Sequence, residues 1–561
     1  VLLILAGISL NLVLGQNGVI GKAKDAKNLT EKGQAQDEVN LAINYLQIED
    51  ATSTLTQEDK RKILEDELRK ISADSSVSIS GSGYKITHKK YDFFVDEDLK
   101  ISSSGKTFDA VEWDKKAAPE DIFIWKSDDP NNADYGVIIG YKKNVDNYTI
   151  LRFPSRCTKV TNDWNIYNSG IYNDTEDDAA TIRSYTKNIL KVELPDTVKE
   201  LGSSAFTGGN NVSFSFFSLE RVELSKSLSK IEDSAFSECK NLKYIEIPES
   251  ITEIGTWAFY GCNAIESITI PEGVKKIGEH CFSNCTSLQE INLSEGIKEI
   301  GDSSFYYCLN LQQINLPEGL ENIGYGAFSY TSLERVKLPE SLSKIGSNTF
   351  SNCKKLRYIE IPENVTEIGD STFSGCEKLN IEIPDNITKI GSSAFSGCKA
   401  IESITIPAGV KEISDGCFRD CTNLKQINLS DGLEGIGSGA FLGCKAIESI
   451  TIPDGVKKIG DSSFFGCTNI QQINLPDGLE KIGYRAFDDT TSLSEIILPE
   501  SVKTIDKYAF SGWTASQTIK CKATKAGDNW DKYWNYNYSY FSKDATKISA
   551  NIIWGYQDNN T

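Results

Sequence analysis

A unit of 23 residues recurs along most of this chain, and its most regular position is a phenylalanine. Fourteen copies of this marker Phe follow one another at a spacing of 23 residues, apart from two steps of 22 and a first step of 30. They are Phe206, Phe236, Phe259, Phe282, Phe305, Phe328, Phe350, Phe373, Phe395, Phe418, Phe441, Phe464, Phe487 and Phe510. A repeat of this length buries its apolar face only against its neighbours. The period therefore predicts a stacked solenoid over residues 189–512, which needs a cap at each end.

Each repeat carries a fixed pattern of apolar residues, as in IEIPESITEIGTWAFYGCNAIES, residues 245–267. Alternating Ile residues predict a short strand with one inward face, and Pro248 ends it because proline has no amide hydrogen for the ladder. Gly255 permits a tight corner, and the spacing of Phe259 and Cys262 predicts a helical turn that faces the same interior. The pattern predicts an α/β repeat solenoid, a rod of about fourteen coils.

On each predicted strand, the residues before and between the inward apolar positions face outward. In four late repeats these residues are uncharged and form a candidate binding face: Ser403, Thr405, Gln426, Asn428, Ser449, Thr451, Gln472 and Asn474. Their amides and hydroxyls suit recognition of a peptide backbone or a glycan through many modest hydrogen bonds. The alternative is that Thr, Gln and Asn pair with one another in cross-strand ladders, which duplication of repeats then spread.

Ten of the fourteen cysteines occupy one position, three residues after the marker Phe. A metal site requires ligands that converge on one point, whereas this position places the sulfurs in a row, one to a repeat. We therefore expect buried, reduced thiols that act as small apolar residues. The closely spaced pairs Cys281/Cys285 and Cys417/Cys421 are the best candidates for a disulfide or a metal site.

Residues and motifs typical of catalysis are scarce. The chain has two histidines, His88 and His280, and lacks a phosphate-binding loop, a G-x-S-x-G elbow and an H-E-x-x-H motif. We therefore expect no enzyme activity, no catalytic residue, no cofactor and no resident metal. Acidic residues outnumber basic ones by 79 to 59, which gives a net charge of -20. Such a surface repels phosphate groups and disfavours nucleic acids and anionic membranes as partners.

The N-terminal part of the chain has a different character. Its first fourteen residues are apolar with two exceptions, a run too short to span a bilayer, which takes about 20 residues, and typical of the remainder of a cut signal or anchor. Residues 56–71 predict a helix with an apolar stripe, and alternation over 76–102 predicts a small antiparallel sheet. Residues 1–103 resemble the pilin-like N-termini of surface proteins in Gram-positive anaerobes. The resemblance implies a small α+β unit, membrane contact only through the apolar segment, and pilin-like assembly.

Two further regions flank the array. Residues 104–188 hold three strand-like runs, and the last of them, residues 149–154, is a degenerate first repeat. We expect this region to connect the two parts of the chain and to cap the solenoid. Residues 513–561 are the expected C-terminal cap, and their aromatic run at 528–541 is either part of this cap or a platform on which sugar rings stack.

The repeat, with its I-x-I-P strand, I-G corner and A-F-x-x-C turn, resembles the BspA-like leucine-rich repeats over residues 189–512. The resemblance implies a leucine-rich-repeat protein that is extracellular, at the bacterial cell surface or secreted. It also implies recognition or adhesion, with an extracellular protein or glycan of a host or another microbe as the partner. The alternative is a structural minor pilin or filament-tip subunit in which the solenoid is a spacer.

Overall fold

The computed structural model of the chain divides into two compact units, residues 1–113 and 114–561. The predicted division into four regions stays a prediction, and the apolar N-terminal segment lies outside the described residues. The structure describes residues 39, 42, 56–70, 75–80, 83–88, 91–95, 123–125, 137–141, 149–161, 188–208, 216–537 and 550–557.

The described part of the first unit is a helix packed on an antiparallel sheet. Leu64 and Leu68 on one helix face are buried, and the Arg61 guanidinium donates to the carbonyl oxygen of Val77 in the first strand at 3.3 Å. The predicted helix and antiparallel sheet are confirmed, while the pilin-like character stays a prediction. The elements, with the strands in sheet order, are α1 (Gln57–Arg69), β1 (Ser76–Ser80), β2 (Gly83–His88) and β3 (Tyr91–Val95).

The second unit is a parallel β-solenoid of about 15 turns, in which most coils contribute one strand to each of two faces. The strands of the first face are β6 (Ile150–Arg152), β8 (Lys191–Glu193), β10 (Arg221–Glu223), β12 (Tyr244–Ile245), β14 (Ser267–Ile270), β16 (Glu290–Leu293), β19 (Arg335–Lys337), β20 (Tyr358–Glu360), β23 (Ser403–Thr405), β25 (Gln426–Asn428), β27 (Ser449–Thr451), β29 (Gln472–Asn474), β31 (Glu495–Leu498), β33 (Thr518–Cys521) and β34 (Asn551–Trp554). The strands of the second face are β4 (Phe123–Trp125), β5 (Val137–Tyr141), β7 (Lys159–Val160), β9 (Glu200–Leu201), β11 (Lys230–Ile231), β13 (Glu253–Ile254), β15 (Lys276–Ile277), β17 (Glu299–Ile300), β18 (Asn322–Ile323), β21 (Glu367–Ile368), β22 (Lys389–Ile390), β24 (Glu412–Ile413), β26 (Gly435–Ile436), β28 (Lys458–Ile459), β30 (Lys481–Ile482) and β32 (Thr504–Ile505).

Neighbouring coils pair with equivalent residues side by side, as with Ile404 in β23 and Ile427 in β25. The degenerate first repeat forms β6, which pairs in parallel with β8. At that end the second face closes with β4, which is antiparallel to β5. The repeat pattern predicts a first-face strand in every coil, but residues 313–315 and 380–382 are not strands in the structure. The second of these falls in a 22-residue repeat, in which one fewer residue is available for the strand.

The marker Phe side chains form a continuous column through the core. All fourteen are fully buried, and each ring from Phe206 to Phe510 stacks on the next, with centroids 5.3–5.9 Å apart and planes inclined by 2–21°. Phe153 meets the first ring edge-on at 5.9 Å. Trp513 and Trp534 meet the last ring edge-on at 5.3 and 5.7 Å. Edge-on rings therefore close both ends of the stack, and Trp534 of the C-terminal aromatic run packs there.

The segment around each marker Phe consists of tight turns rather than the predicted helical turn. On either side of Phe236, for example, Ser234 and Glu238 adopt left-handed φ values of 57° and 62°. The Phe236 amide donates to the carbonyl oxygen of Ala258 in the next coil at 2.8 Å. A helix would direct these amides along its own chain. The turns instead direct them between coils and so add a third hydrogen-bonded ladder to the stack.

The glycine at the corner after the second strand allows adjacent coils to approach each other. A Cβ atom on Gly255 would lie 2.6 Å from the backbone nitrogen of Asp233 in the preceding coil. In the same contact the Asp233 carboxylate accepts a hydrogen bond from the Thr256 amide at 2.7 Å. The bond recurs between Asp302 and the Tyr325 amide, also at 2.7 Å. Close contact between coils, rather than a special dihedral angle, is what requires glycine here.

A buried serine next to the Phe column gives a first test of the packing. Ala precedes the marker Phe in eight of the fourteen repeats, whereas Ser463 there has a buried hydroxyl with no partner among the described residues. Because such a hydroxyl loses its hydration without compensation, Ser463→Ala should raise the free energy of unfolding by about 1 kcal/mol in urea denaturation.

Ser304 is the matched control, because its hydroxyl lies 3.0 Å from the carbonyl oxygen of Gly278 and 2.6 Å from that of Gly301. Ser304→Ala should lower the same free energy by about 1 kcal/mol. The interpretation is wrong if Ser463→Ala destabilises the protein as much as Ser304→Ala does.

Candidate functional site

The eight residues of the predicted binding face lie on four strands of the first face, β23, β25, β27 and β29. Thr405 lies opposite Asn428, and Thr451 lies opposite Asn474 in the second strand pair. All eight side chains are exposed, and the Ile between each pair is buried. We call this set the polar row: Ser403, Thr405, Gln426, Asn428, Ser449, Thr451, Gln472 and Asn474.

The polar row contains the same hydrogen-bond network twice. The Asn428 amide donates to the Thr405 hydroxyl oxygen at 3.1 Å, and the Gln426 amide donates to the Asn428 side-chain oxygen at 3.3 Å. Asn474 and Gln472 make the equivalent bonds at 3.5 and 3.3 Å. The cross-strand ladder weighed from the sequence is thus present in the row. It fixes the amide orientations and directs the Thr hydroxyl hydrogens away from the Asn donors.

The row of cysteines has a role that sequence reasoning missed. Each of the ten thiols that follow a marker Phe donates a hydrogen bond to the carbonyl oxygen of the marker Phe in the preceding coil, at 2.8–3.2 Å. They belong to Cys239, Cys262, Cys285, Cys308, Cys353, Cys376, Cys398, Cys421, Cys444 and Cys467.

Trp513 occupies the same position in the last repeat, and its indole nitrogen donates to the Phe487 carbonyl oxygen at 3.1 Å. Gly209, Thr331 and Thr490 fill the position elsewhere. The Thr490 hydroxyl donates to the Phe487 carbonyl oxygen of its own coil instead. The sequence signal for the bond between coils is the recurrence of Cys, together with a Trp that also carries a donor.

All fourteen cysteines are buried free thiols. The pairs Cys281/Cys285 and Cys417/Cys421 form no disulfide. Burial raises the pKa of the Cys285 thiol from its ordinary value of 9.0 to about 12, and burial is also the main cause that raises the pKa of Cys417. A thiol with so high a pKa is a poor nucleophile and a poor metal ligand, since both functions need the thiolate.

The only histidine whose side chain the structure describes is His280, and its ring stacks on Trp257 with centroids 4.3 Å apart. His88 lies in β2, and its side chain is outside the described part. In the described part of the chain, no three His, Cys, Asp or Glu residues come together as a group that suits a metal ion.

Lys and Glu side chains of adjacent coils form ion pairs along the solenoid. Lys276 and Glu299 are 2.8 Å apart, as are Lys425 and Glu402 beside the polar row. Lys425 lowers the pKa of the Glu402 carboxyl through this hydrogen bond. Both pairs are exposed, where such contacts contribute little to stability. The charges are thus arranged as solvated rows of alternating sign.

A stack of short coils, in which the strands of successive coils pair in parallel, is the architecture of leucine-rich-repeat proteins. Three overlapping stretches, residues 209–332, 321–447 and 434–557, match the family described as the BspA type leucine rich repeat region. Together they span more than half of the chain, and the protein belongs to this family. No curated protein matches the sequence. Among the described residues, no helix has both the length and the apolar character that a membrane crossing requires.

Solved structures of bacterial repeat proteins are similar to this chain. A leucine-rich repeat protein from Bacteroides ovatus has 26% identity and a TM-score of 0.53, over 72% of this chain and 99% of its own. A leucine rich cell surface protein from Faecalibacterium prausnitzii has 24% identity and a TM-score of 0.40, over 72% of this chain and 96% of its own. The pneumococcal vaccine antigen PcpA has 14% identity and a TM-score of 0.37, over 85% of this chain and 98% of its own.

Proposed function

We propose that this protein is a recognition or adhesion protein of the bacterial surface, which binds an extracellular protein or glycan through its solenoid. The observation that carries the proposal is the polar row, in which one hydrogen-bonding network occurs twice on an exposed, uncharged strip. The strip contrasts with the chain as a whole, which has a net charge of -20. A neutral partner can bind an uncharged strip without desolvating charged side chains.

The polar row suits a ligand that runs across the strands. Each coil adds one pair of hydroxyl or amide side chains, and each hydrogen bond to a ligand contributes about 0.5–1.5 kcal/mol net. A single pair is weak, whereas several coils acting on one chain give useful affinity through multiple contacts. An extended peptide or an oligosaccharide has regularly spaced polar groups that match this arrangement.

Membership of the BspA-type family supports an extracellular location, because proteins of this family are typically surface proteins. The family is generally non-enzymatic, and the buried thiols leave no activated nucleophile among the described cysteines. A second proposal, a minor pilin or filament-tip subunit with the solenoid as spacer, rests on the N-terminal resemblance alone. The binding function has the additional support of the doubled network.

The test is a variant that replaces the amides of the polar row by charges without changing the net charge: Gln426→Lys, Asn428→Glu, Gln472→Lys and Asn474→Glu. Full-length protein is first screened against immobilised matrix proteins and mucin glycans. We expect the variant to lose at least about tenfold in affinity for the ligand found, since several hydrogen bonds of about 1 kcal/mol each disappear.

A control variant changes four exposed charges elsewhere on the same coils, again with no net change: Lys411→Gln, Glu412→Gln, Glu434→Gln and Lys458→Gln. It should bind as the unchanged protein does. Circular dichroism and urea denaturation check that both variants fold. Undiminished binding by a folded polar-row variant would show that this strip is not the binding face.

A further inference from the structure

Exposed and half-buried aromatic side chains gather on the turns of four successive coils, those of Phe259, Phe282, Phe305 and Phe328. Trp257, Tyr307 and Tyr330 are 37%, 38% and 36% exposed. We define the aromatic patch as Trp257, Tyr260, His280, Tyr306, Tyr307 and Tyr330. It belongs to the turn segments and not to the strands that carry the polar row.

The rings of the aromatic patch contact one another in two groups. Trp257 lies 4.3 Å from His280 and 4.7 Å from Tyr260, measured between ring centroids. Tyr330 lies 5.2 Å from Tyr307 and 5.6 Å from Tyr306. These contacts hold the rings in place before any ligand binds, so little side-chain entropy remains to be lost on binding.

Four patch residues occupy backbone positions that do not favour large side chains. Trp257, His280, Tyr307 and Tyr330 have left-handed φ values of 60°, 52°, 64° and 59°. Bulky residues are uncommon at such φ values. At the equivalent positions most other described repeats have Ser, Gly, Asn or Asp.

The core does not require the strain, because the marker Phe of each of these coils is fully buried as in every other coil. Two further bulky residues at such positions, Arg485 and Tyr508, lie outside the patch, near the C-terminal end of the solenoid. Unfavourable backbone positions filled by exposed rings are typical of a functional surface.

We propose that the aromatic patch is a second binding site, which takes a neutral glycan by stacking sugar rings on Trp257, Tyr307 and Tyr330. A pyranose has an apolar face of C–H groups and a rim of hydroxyls. Tyr and Trp offer a matching combination of apolar ring and polar tip. The side chain of Asn284, which donates to the Tyr260 hydroxyl at 3.0 Å, adds an amide at the rim.

The spread of the patch over four successive coils favours an oligosaccharide as the ligand. Successive coils are about 4.8 Å apart, a distance close to the length of one sugar residue in an extended glycan. The patch contributes four tyrosine hydroxyls beside its ring faces, which match the rim of hydroxyls and the apolar face of a sugar ring.

The charges around the patch favour a neutral sugar over a sulfated or sialylated one. Glu279 and Asp302 are exposed next to the aromatic turns, and the chain as a whole carries a net charge of -20. An anionic glycan would be repelled by these two carboxylates and by the net negative charge of the chain. The site is separate from the polar row, so failure of one proposal leaves the other to be judged by its own variant.

The experiment uses full-length protein on an array of neutral and sulfated oligosaccharides of five to eight residues. The test variant is Trp257→Ser, Tyr307→Gly and Tyr330→Gly, since Ser303 and Gly375 show that these residues already fill the equivalent positions in other coils. We expect the unchanged protein to retain neutral glycans, and the variant to bind them about a hundredfold or more weakly. The variant should fold with undiminished stability because it removes the strain.

Two controls separate the patch from other surfaces. Tyr358→Ser removes an exposed ring from β20 on the first face, and the charge variant at Lys411, Glu412, Glu434 and Lys458 changes exposed side chains of other coils. Both should retain the neutral glycans. The proposal is overturned if no neutral glycan binds, if the sulfated ones bind instead, or if the test variant binds neutral glycans as well as the unchanged protein. If the test variant instead loses binding to a matrix protein and keeps its glycan binding, the patch is a protein interface and the proposal is also overturned.

Discussion

Replacement of Phe395 by Ala should lower the free energy of unfolding of the solenoid by about 3–5 kcal/mol. The Phe395 ring is fully buried and stacks on Phe373 at 5.6 Å and on Phe418 at 5.5 Å. Its removal leaves a cavity in two interfaces at once, because a coil is stabilised only by the coils before and after it. Urea denaturation of the full-length protein, followed by circular dichroism, measures the change.

Two further variants calibrate this measurement. Phe395→Leu keeps part of the side-chain volume and should have a smaller effect. Lys389→Ala changes an exposed side chain of the same coil and should change the free energy by less than about 0.5 kcal/mol. A loss below about 1 kcal/mol for Phe395→Ala would contradict a stabilising function of the Phe column.

Alkaline pH should unfold the solenoid, and the buried thiols are the reason. Burial raises the pKa of Cys285, Cys421 and Cys467 to about 12, from an ordinary value of 9.0. Between these values the unfolded chain has lost its thiol protons while the folded chain keeps them, so stability falls as pH rises. Below pH 9 the contribution of each buried thiol to the free energy of unfolding is fully present. Above pH 9, each thiol lowers the free energy of unfolding by about 1.4 kcal/mol per pH unit.

The measurement is a series of urea denaturations in the presence of a reductant, from pH 7.5 to 10.5. The matched control replaces Cys285 and Cys467 by Thr, the residue that fills this position as Thr331 and Thr490. It should reduce the alkaline slope by about 1.4 kcal/mol per pH unit for each thiol removed. In the native state at pH 7.5 a thiol reagent should react slowly, and in urea quickly. An unchanged slope, or rapid native labelling, would contradict the assignment.

The sequence predicted the solenoid because the pattern that repeats is the pattern that is buried. Every marker Phe is in the core, and the strand at Ser403–Thr405 has the expected exposed, buried, exposed order. The turn around Phe236 was mistaken for a helical turn because its apolar spacing fits both conformations. The observed turn differs from a helical turn in the left-handed φ values of Ser234 and Glu238. Ser and Glu do not indicate a left-handed φ, so the sequence could not predict it.

The candidate site was predictable in part. Outward orientation of Gln426 and Asn428 follows from alternation, but their mutual hydrogen bond depends on rotamers that no sequence pattern specifies. The aromatic patch could not be predicted from the period, because a period describes only what the repeats share. Trp257 and Tyr307 stand out as departures from the repeat, at positions where Ser and Gly otherwise recur.

The thiol-to-carbonyl bonds and the bonds of the turn amides each keep a fixed direction along the stack, and the two directions are opposite. The Cys262 thiol donates back to Phe236, whereas the Phe259 amide donates forward to Cys281. Each coil therefore has two unlike surfaces, and either one complements the opposite surface of any other coil. A bare end would accept the other end of a second molecule, a head-to-tail contact that never closes and yields filaments. The antiparallel strand β4 at one end and the tryptophans against Phe510 at the other thus act as terminators of polymerisation.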